Sequence, residues 1–211
     1  GIMLRSFSLK NFHSFREEVC VSWELSKHFP LDDRAMPSHH GDRLSKVMAV
    51  IGANASGKTT LIKSIGFLDW FVKHSFHARP DAPLPLEPHF LSREQPSDFQ
   101  VEFDMGDEVW RYQLSATPER VWSESLHRKQ SRTFSYVFVR HWDAQAGSYV
   151  VKQRQFGMPQ REAVKVRQNA SLIATAAQFE VPVAKQLAAL KVFTNVTGLG
   201  RSHMDSQQIL W

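Results

Sequence analysis

The chain has 211 residues, 42% of them hydrophobic and 22% charged, with a formal net charge of +5, the profile of an ordinary globular protein with room for one core, or one domain with a subdomain. No apolar stretch approaches the ~20 residues of a membrane span, and Arg5, Lys10 and His13 interrupt any signal-like apolar region at the start. Cys20 is the single cysteine, which excludes an intramolecular disulfide and fits a reducing cytoplasm.

The opening "MLRSFSLKNFHSF" reads as a strand through Leu9 that ends near Asn11. Val19, Val21, Trp23 and Leu25 then alternate with Cys20, Ser22 and Glu24, which predicts a half-buried antiparallel strand and a hairpin through "NFHSFRE". Residues 26–45 have no period and read as a loop. Its His28, His39, His40, Asp32, Asp33 and Asp42 match no standard metal-ligand spacing.

Next comes "VMAVIGANASGKTT", an apolar run from Val47 to Ile51 followed by a full match to G-x-x-x-x-G-K-[ST]. A nucleotide's phosphate chain needs inward-pointing backbone N–H groups in a tight loop, and Gly52 and Gly57 permit that approach, with Ala53, Asn54, Ala55 and Ser56 between them. Lys58 adds a point charge at the β- and γ-phosphates, the Thr59 hydroxyl is placed for Mg²⁺ with Thr60 in support, and the helix that starts there contributes its positive end. Leu61, Ile65, Leu68 and Val72, widened by Ile62 and Phe71, give that helix an apolar stripe. His74 and His77 near its end suit the helix dipole.

Five of the ten prolines fall between Pro80 and Pro96, so 76–96 is expected to be an irregular connection. From 97 to 155 the pattern is that of a β-meander. Phe99, Val101, Phe103 and Met105 alternate, Gly106-Asp107 turns the chain, and Trp110, Tyr112 and Leu114 alternate again. Residues 119–127, "SYVFVRHW" and "GSYVVKQR" supply further strands, and the aromatic residues read as core and hairpin pairs. The segment 156–211 begins within a basic strip of Lys152, Arg154, Arg161, Lys165 and Arg167. It continues through "SLIATAAQ", which fits either element type, and a short helix marked by Pro182, Val183, Leu187, Leu190 and Phe193, into a glycine-containing tail.

A strand hairpin before the phosphate loop and a long antiparallel insertion after its helix resemble the ABC-type ATPase heads of the RecF, SMC and OLD branch, closest in look to AAA-family ATPases of abortive-infection, anti-phage systems. The resemblance rests on "LKNFHSF", on Asn54 and Ser56 within the loop, on "FQVEFDMGDEVWRYQL", on "VWSESLHRK" with "YVFVRHW", and on "NASLIATAAQF". It implies an α/β P-loop NTPase fold, an ABC-type N-terminal lobe with an antiparallel β-subdomain inserted after the P-loop helix. It also implies ATP and Mg²⁺ as cofactors, a cytoplasmic location, a homodimer of ATP-sandwiched heads, and a DNA, RNA or effector-nuclease partner. Where the family has Arg, this chain has His13, which weakens a charge-assisted phosphate contact. The family's loop between lobes offers a Gln to Mg²⁺ and the attacking water, a place for which Gln178, with Gln168 behind it, is the candidate.

Hydrolysis also needs an acidic residue at the end of an apolar strand, the Walker B element, and across the dimer a Ser-Gly-rich signature. Neither is recognisable: "FQVEFDMGDE" alternates like a half-exposed strand, and "GLGRSH" does not fit the signature. The expectation is therefore the N-terminal portion of an ATPase that is catalytic only when completed. The rival expectation is a non-catalytic nucleic-acid or protein interaction module that keeps the P-loop fold. A GTPase or small-molecule kinase fits less well, because no N-K-x-D-like guanine motif is present and the β-insertion is wrong for a compact kinase.

Overall fold

Strict alternation of apolar and polar residues sets most of the architecture. The computed structural model describes residues 3–22 and 55–190. β1 (Met3–Lys10) and β2 (Val19–Ser22) form the N-terminal hairpin, and β3 (Ser97–Met105), β4 (Glu108–Ala116), β5 (Val121–Gln130), β6 (Thr133–Asp143) and β7 (Ser148–Gln153) form the meander. The helices are α1 (Ala55–His74), α2 (Gln160–Ala163), α3 (Leu172–Gln178) and α4 (Pro182–Ala188). "SLIATAAQ" thus resolves to helix. Ser171 caps it, its hydroxyl accepting from the backbone N–H groups of Ile173 and Ala174. The apolar run 47–51, Trp23 and Leu25, the His-containing loop, and Phe193 with the tail lie outside the described residues.

Hairpin and meander, which the sequence reads as separate units, are one seven-stranded sheet in the order β2-β1-β3-β4-β5-β6-β7. The joint is β1 against β3, antiparallel from Met3↔Asp104 to Lys10↔Asp98. Every described strand pairing is antiparallel. "FQVEFDM" therefore sits between two antiparallel neighbours, half buried. Gly106 and Gly147 turn the chain with φ of +63° and +64°, the left-handed region that glycine enters at least cost.

One face of the sheet is apolar and carries the helices. Phe7, Leu9, Phe99, Val101, Tyr112, Leu114 and Leu126 are buried there together with Leu61, Ile65, Leu68 and Phe71 of α1. Phe67 of α1 meets Phe99 of β3 at 5.4 Å between ring centroids. A cavity of about 20 Å³ remains between the sheet and α1, α3 and α4. It has room for about one water and none for a ligand. The edge strand β7 is dressed by side chains: Gln160 donates to the Val151 carbonyl at 2.8 Å, while Gln153 exchanges hydrogen bonds with the Met158 backbone.

Among the described residues, charge is fully buried at one place. Arg140 and Glu124, whose side chains are fully buried, pair at 3.2 Å. The guanidinium also donates to the carbonyls of Ala170, Val166 and Arg167. The Glu124 carboxylate accepts from Tyr112 Oη at 2.6 Å, Ser171 Oγ at 2.7 Å and the Leu172 N–H at 2.8 Å. Burial, reinforced by the neighbouring Glu124 charge, pushes the Tyr112 hydroxyl well above its ordinary range and keeps it a donor. Apart from Arg140 Nε, which has no hydrogen-bond partner among the described residues, groups from three strands, from the segment before α3 and from its first residue thereby satisfy each other.

Removing one partner of such a pair strands the other charge. Glu124→Leu is expected to cost about 3–5 kcal/mol in urea denaturation. Glu102→Gln, which removes the partly exposed partner of Arg111 on the opposite face, is expected to cost about 0–1 kcal/mol.

Candidate functional site

The site is built where the turn after β1 meets the start of α1. Asn11 and His13 adopt left-handed φ of 55° and 50°, a region that Asn and His enter more readily than most residues. Within the turn, Phe12 and Phe15 exchange backbone hydrogen bonds at 2.8 and 2.9 Å. The buried Asn11 side chain holds the proline-rich connection against it: its amide donates to the carbonyls of Ser92 and Gln95, each at 2.9 Å, and its Oδ1 accepts from the His89 N–H. The Ser97 hydroxyl donates to the Asn11 carbonyl. The asparagine of "LKNF" is thus a fastening between two distant stretches of chain.

Beyond Asn11 the turn reaches α1. Ser14 Oγ lies 2.6 Å from Thr60 Oγ1, so the last residue of "GKTT" is braced by the turn. The His13 N–H donates to the Glu87 carbonyl at 2.8 Å, and its Nδ1 lies 3.6 Å from Glu87 Oε2. Partial burial lowers the His13 pKa, and the Lys63 charge on α1 lowers it further. The solvated Glu87 carboxylate opposes the shift without cancelling it. At neutral pH His13 is therefore an uncharged ring beside α1, and its contact with Glu87 is a weak polar one.

Of the phosphate-loop residues, Gly57, Lys58, Thr59 and Thr60 occupy the first turns of α1. Ala55 and Ser56 begin that helix, while Gly52, Ala53 and Asn54 lie outside the described residues. Lys58 and Thr59 are half-buried and Thr60 is buried. The order is that expected of a phosphate site: lysine and hydroxyl within the first two turns of a 20-residue helix, towards its positive end.

The glutamine candidates fare differently. Gln168 is committed to structure, its carbonyl accepting from the Val121 N–H and its amide donating to the Pro80 carbonyl. The Ser171 N–H, just before α3, bonds Ser75 Oγ beyond the C-terminal end of α1, about 24 Å along the helix axis from Thr59. Gln178 is exposed at the other end of the short α3. The basic strip is also divided: Arg167 turns inward and donates to the Phe76 carbonyl at 2.5 Å, while Lys152, Arg154, Arg161 and Lys165 are exposed. Among the described residues no cluster of His, Cys, Asp and Glu could hold a metal ion, and Cys20 is exposed with a raised pKa through partial burial and nearby Glu18 and Glu102. The bracing role of Ser14 went unread, because a lone serine in a turn carries no pattern.

His13 and His127 both have lowered pKa values, the second through burial and the charge of Arg111. Above the ordinary histidine value of 6.5 both rings are neutral folded or unfolded, and they leave stability unchanged. As pH falls through 6.5 the unfolded chain takes up protons first, so stability is lost until the lowered folded values are passed. The melting temperature is expected to drop between about pH 7 and pH 5, and His13→Gln with His127→Gln is expected to flatten that drop.

Residues 47–140, a little under half of the chain, match the family described as "AAA domain, putative AbiEii toxin, Type IV TA system". No curated protein and no solved structure matches the chain. An AAA domain carries a P-loop NTPase fold and suggests nucleotide binding and ATPase chemistry. The matched stretch runs from the apolar segment before the phosphate loop through α1 and the meander to Arg140, and the match supports an AAA-type ATPase related to abortive-infection systems.

Proposed function

We propose that this chain binds ATP with Mg²⁺ at the start of α1, in the manner of the ABC-type heads of anti-phage and DNA-repair ATPases. The observation that carries this is the placement of Lys58 and Thr59 within the first two turns of a long helix whose next residue, Thr60, is braced by Ser14. Gly52, Asn54 and Gly57 would line the loop, Lys58 would meet the β- and γ-phosphates, and the Thr59 hydroxyl would hold the metal. His13, neutral and beside Lys63, would contribute shape and a hydrogen bond rather than the full charge that the resembling family's arginine supplies.

Turnover asks for more than a cradle. The attacking water needs a base or a positioning group and the metal needs a second carboxylate anchor, and the sequence displays neither a Walker B strand nor a signature. We therefore assign nucleotide binding to these residues, and hydrolysis to their combination with those elements in a head-to-head dimer closed on ATP. Gln178 carries no part of this assignment.

Isothermal titration with Mg-ATP and with a slowly hydrolysed analogue tests the reading. Lys58→Ala should remove a contact worth about 1.5–3 kcal/mol, a loss of roughly 10- to 150-fold in affinity, without lowering the melting temperature of the unliganded protein. Equal affinity in parent and variant would overturn it.

A further inference from the structure

The sheet face opposite the helices has a chemistry of its own. Arg111, His127 and Tyr136 face one another across β4, β5 and β6, with Lys129 opposite Phe134 in the same surface. Beside them run Gln100, Gln113, Ser125, Val139 and Lys152. The Arg111 guanidinium lies 4.0 Å from the Phe134 ring centroid and the Lys129 ammonium 5.8 Å from it. Tyr136 is 37% exposed, although the sequence pattern assigned such aromatics to the core.

Charge on this face is one-sided. Glu102, opposite Arg111, is engaged by it at 2.7 Å. Asp104, two strands from Lys129 in the same cross-strand row, is paired with Arg5 at 2.8 Å, Glu108 at the start of β4 lies 3.9 Å from Arg128, and Asp98 lies at the other end of β3. Lys129, Arg132, Lys152 and Arg154 are exposed, and no carboxylate among the described residues pairs with them. A positive field over a flat surface selects a polyanion. An exposed ring, Tyr136, set among those cations selects a polyanion that also carries flat stacking groups, and the Gln–Ser row offers both donors and acceptors.

We propose that the outward face of β4–β7 binds single-stranded nucleic acid, its phosphates running along Lys129, Arg132 and Lys152 and a base stacking on Tyr136. A duplex fits poorly, because its bases present no free faces and a broad sheet cannot enter its grooves. The face is separate from the start of α1, so this binding does not depend on the nucleotide reading.

Fluorescence anisotropy with labelled oligothymidylate and oligouridylate of about 16 nucleotides, the upper range for one compact binding fold, reads the proposal and separates DNA from RNA. Binding should weaken steeply with salt. The double variant Lys129→Glu, Lys152→Glu should lose at least about 10-fold in affinity and lower the salt slope by about 1.4. Tyr136→Ala should lose roughly 5- to 100-fold while leaving that slope unchanged, which distinguishes stacking from charge. Lys58→Ala should bind like the parent. Failure to bind either oligomer at low salt, equal competition by duplex DNA or polyglutamate, or parent-like binding by the correctly folded variants would each overturn it.

Discussion

The buried pair of Arg140 and Glu124 is the constraint on which the arrangement of sheet and helices depends. An ion pair moved out of water gains little unless its remaining hydrogen-bonding positions are filled, and here all but Arg140 Nε are filled by groups from widely separated parts of the chain. The guanidinium collects three carbonyls of the segment before α3, and the carboxylate collects Tyr112, Ser171 and Leu172. The segment can lie in only one position on the sheet, because a shift would strand a charge. Ser171 extends the constraint to the P-loop helix through Ser75, whose hydroxyl donates to Phe71 of α1.

Asn11 plays the parallel part at the other end of the core. Its amide satisfies backbone carbonyls in a stretch where prolines prevent regular pairing, and this fixes the turn that bears His13 and Ser14. The geometry beside α1 is therefore set by a buried asparagine rather than by the phosphate loop itself. Asn169 repeats the device, donating to the Arg79 and Ala82 carbonyls. Several stretches on which the family resemblance rests, "LKNF", "SES", "VRHW" and "NAS", contain these fastenings, so part of what makes the chain look like a family is the set of polar groups that hold its irregular segments in place.

The strands were legible because they are amphipathic: β3 alternates without a break, and each hairpin is bounded by glycine or polar residues. The helical stripe of α1 was equally plain. What the pattern could not deliver was the pairing of β1 with β3, since sequence alternation specifies faces but not neighbours. Nor could it show that Glu124 and Arg140 point inward. Each occupies an alternating position in a strand, where a charged residue ordinarily faces water. Lys58 and Thr59 stood out because the chemistry of phosphate binding dictates their spacing, whereas Ser14 and the exposed Tyr136 acquire meaning only from their neighbours in space.

The side-chain dressing of β7 bears on assembly. A free strand edge invites another strand to continue the ladder, within a fibre or between copies, yet the outward carbonyl of Val151 is already taken by Gln160 and Gln153 is occupied with Met158. Growth of the sheet past β7 would first have to displace these amides. Self-association at that margin is therefore discouraged by two neutral glutamines, a safeguard that changes in pH or ionic strength would leave intact.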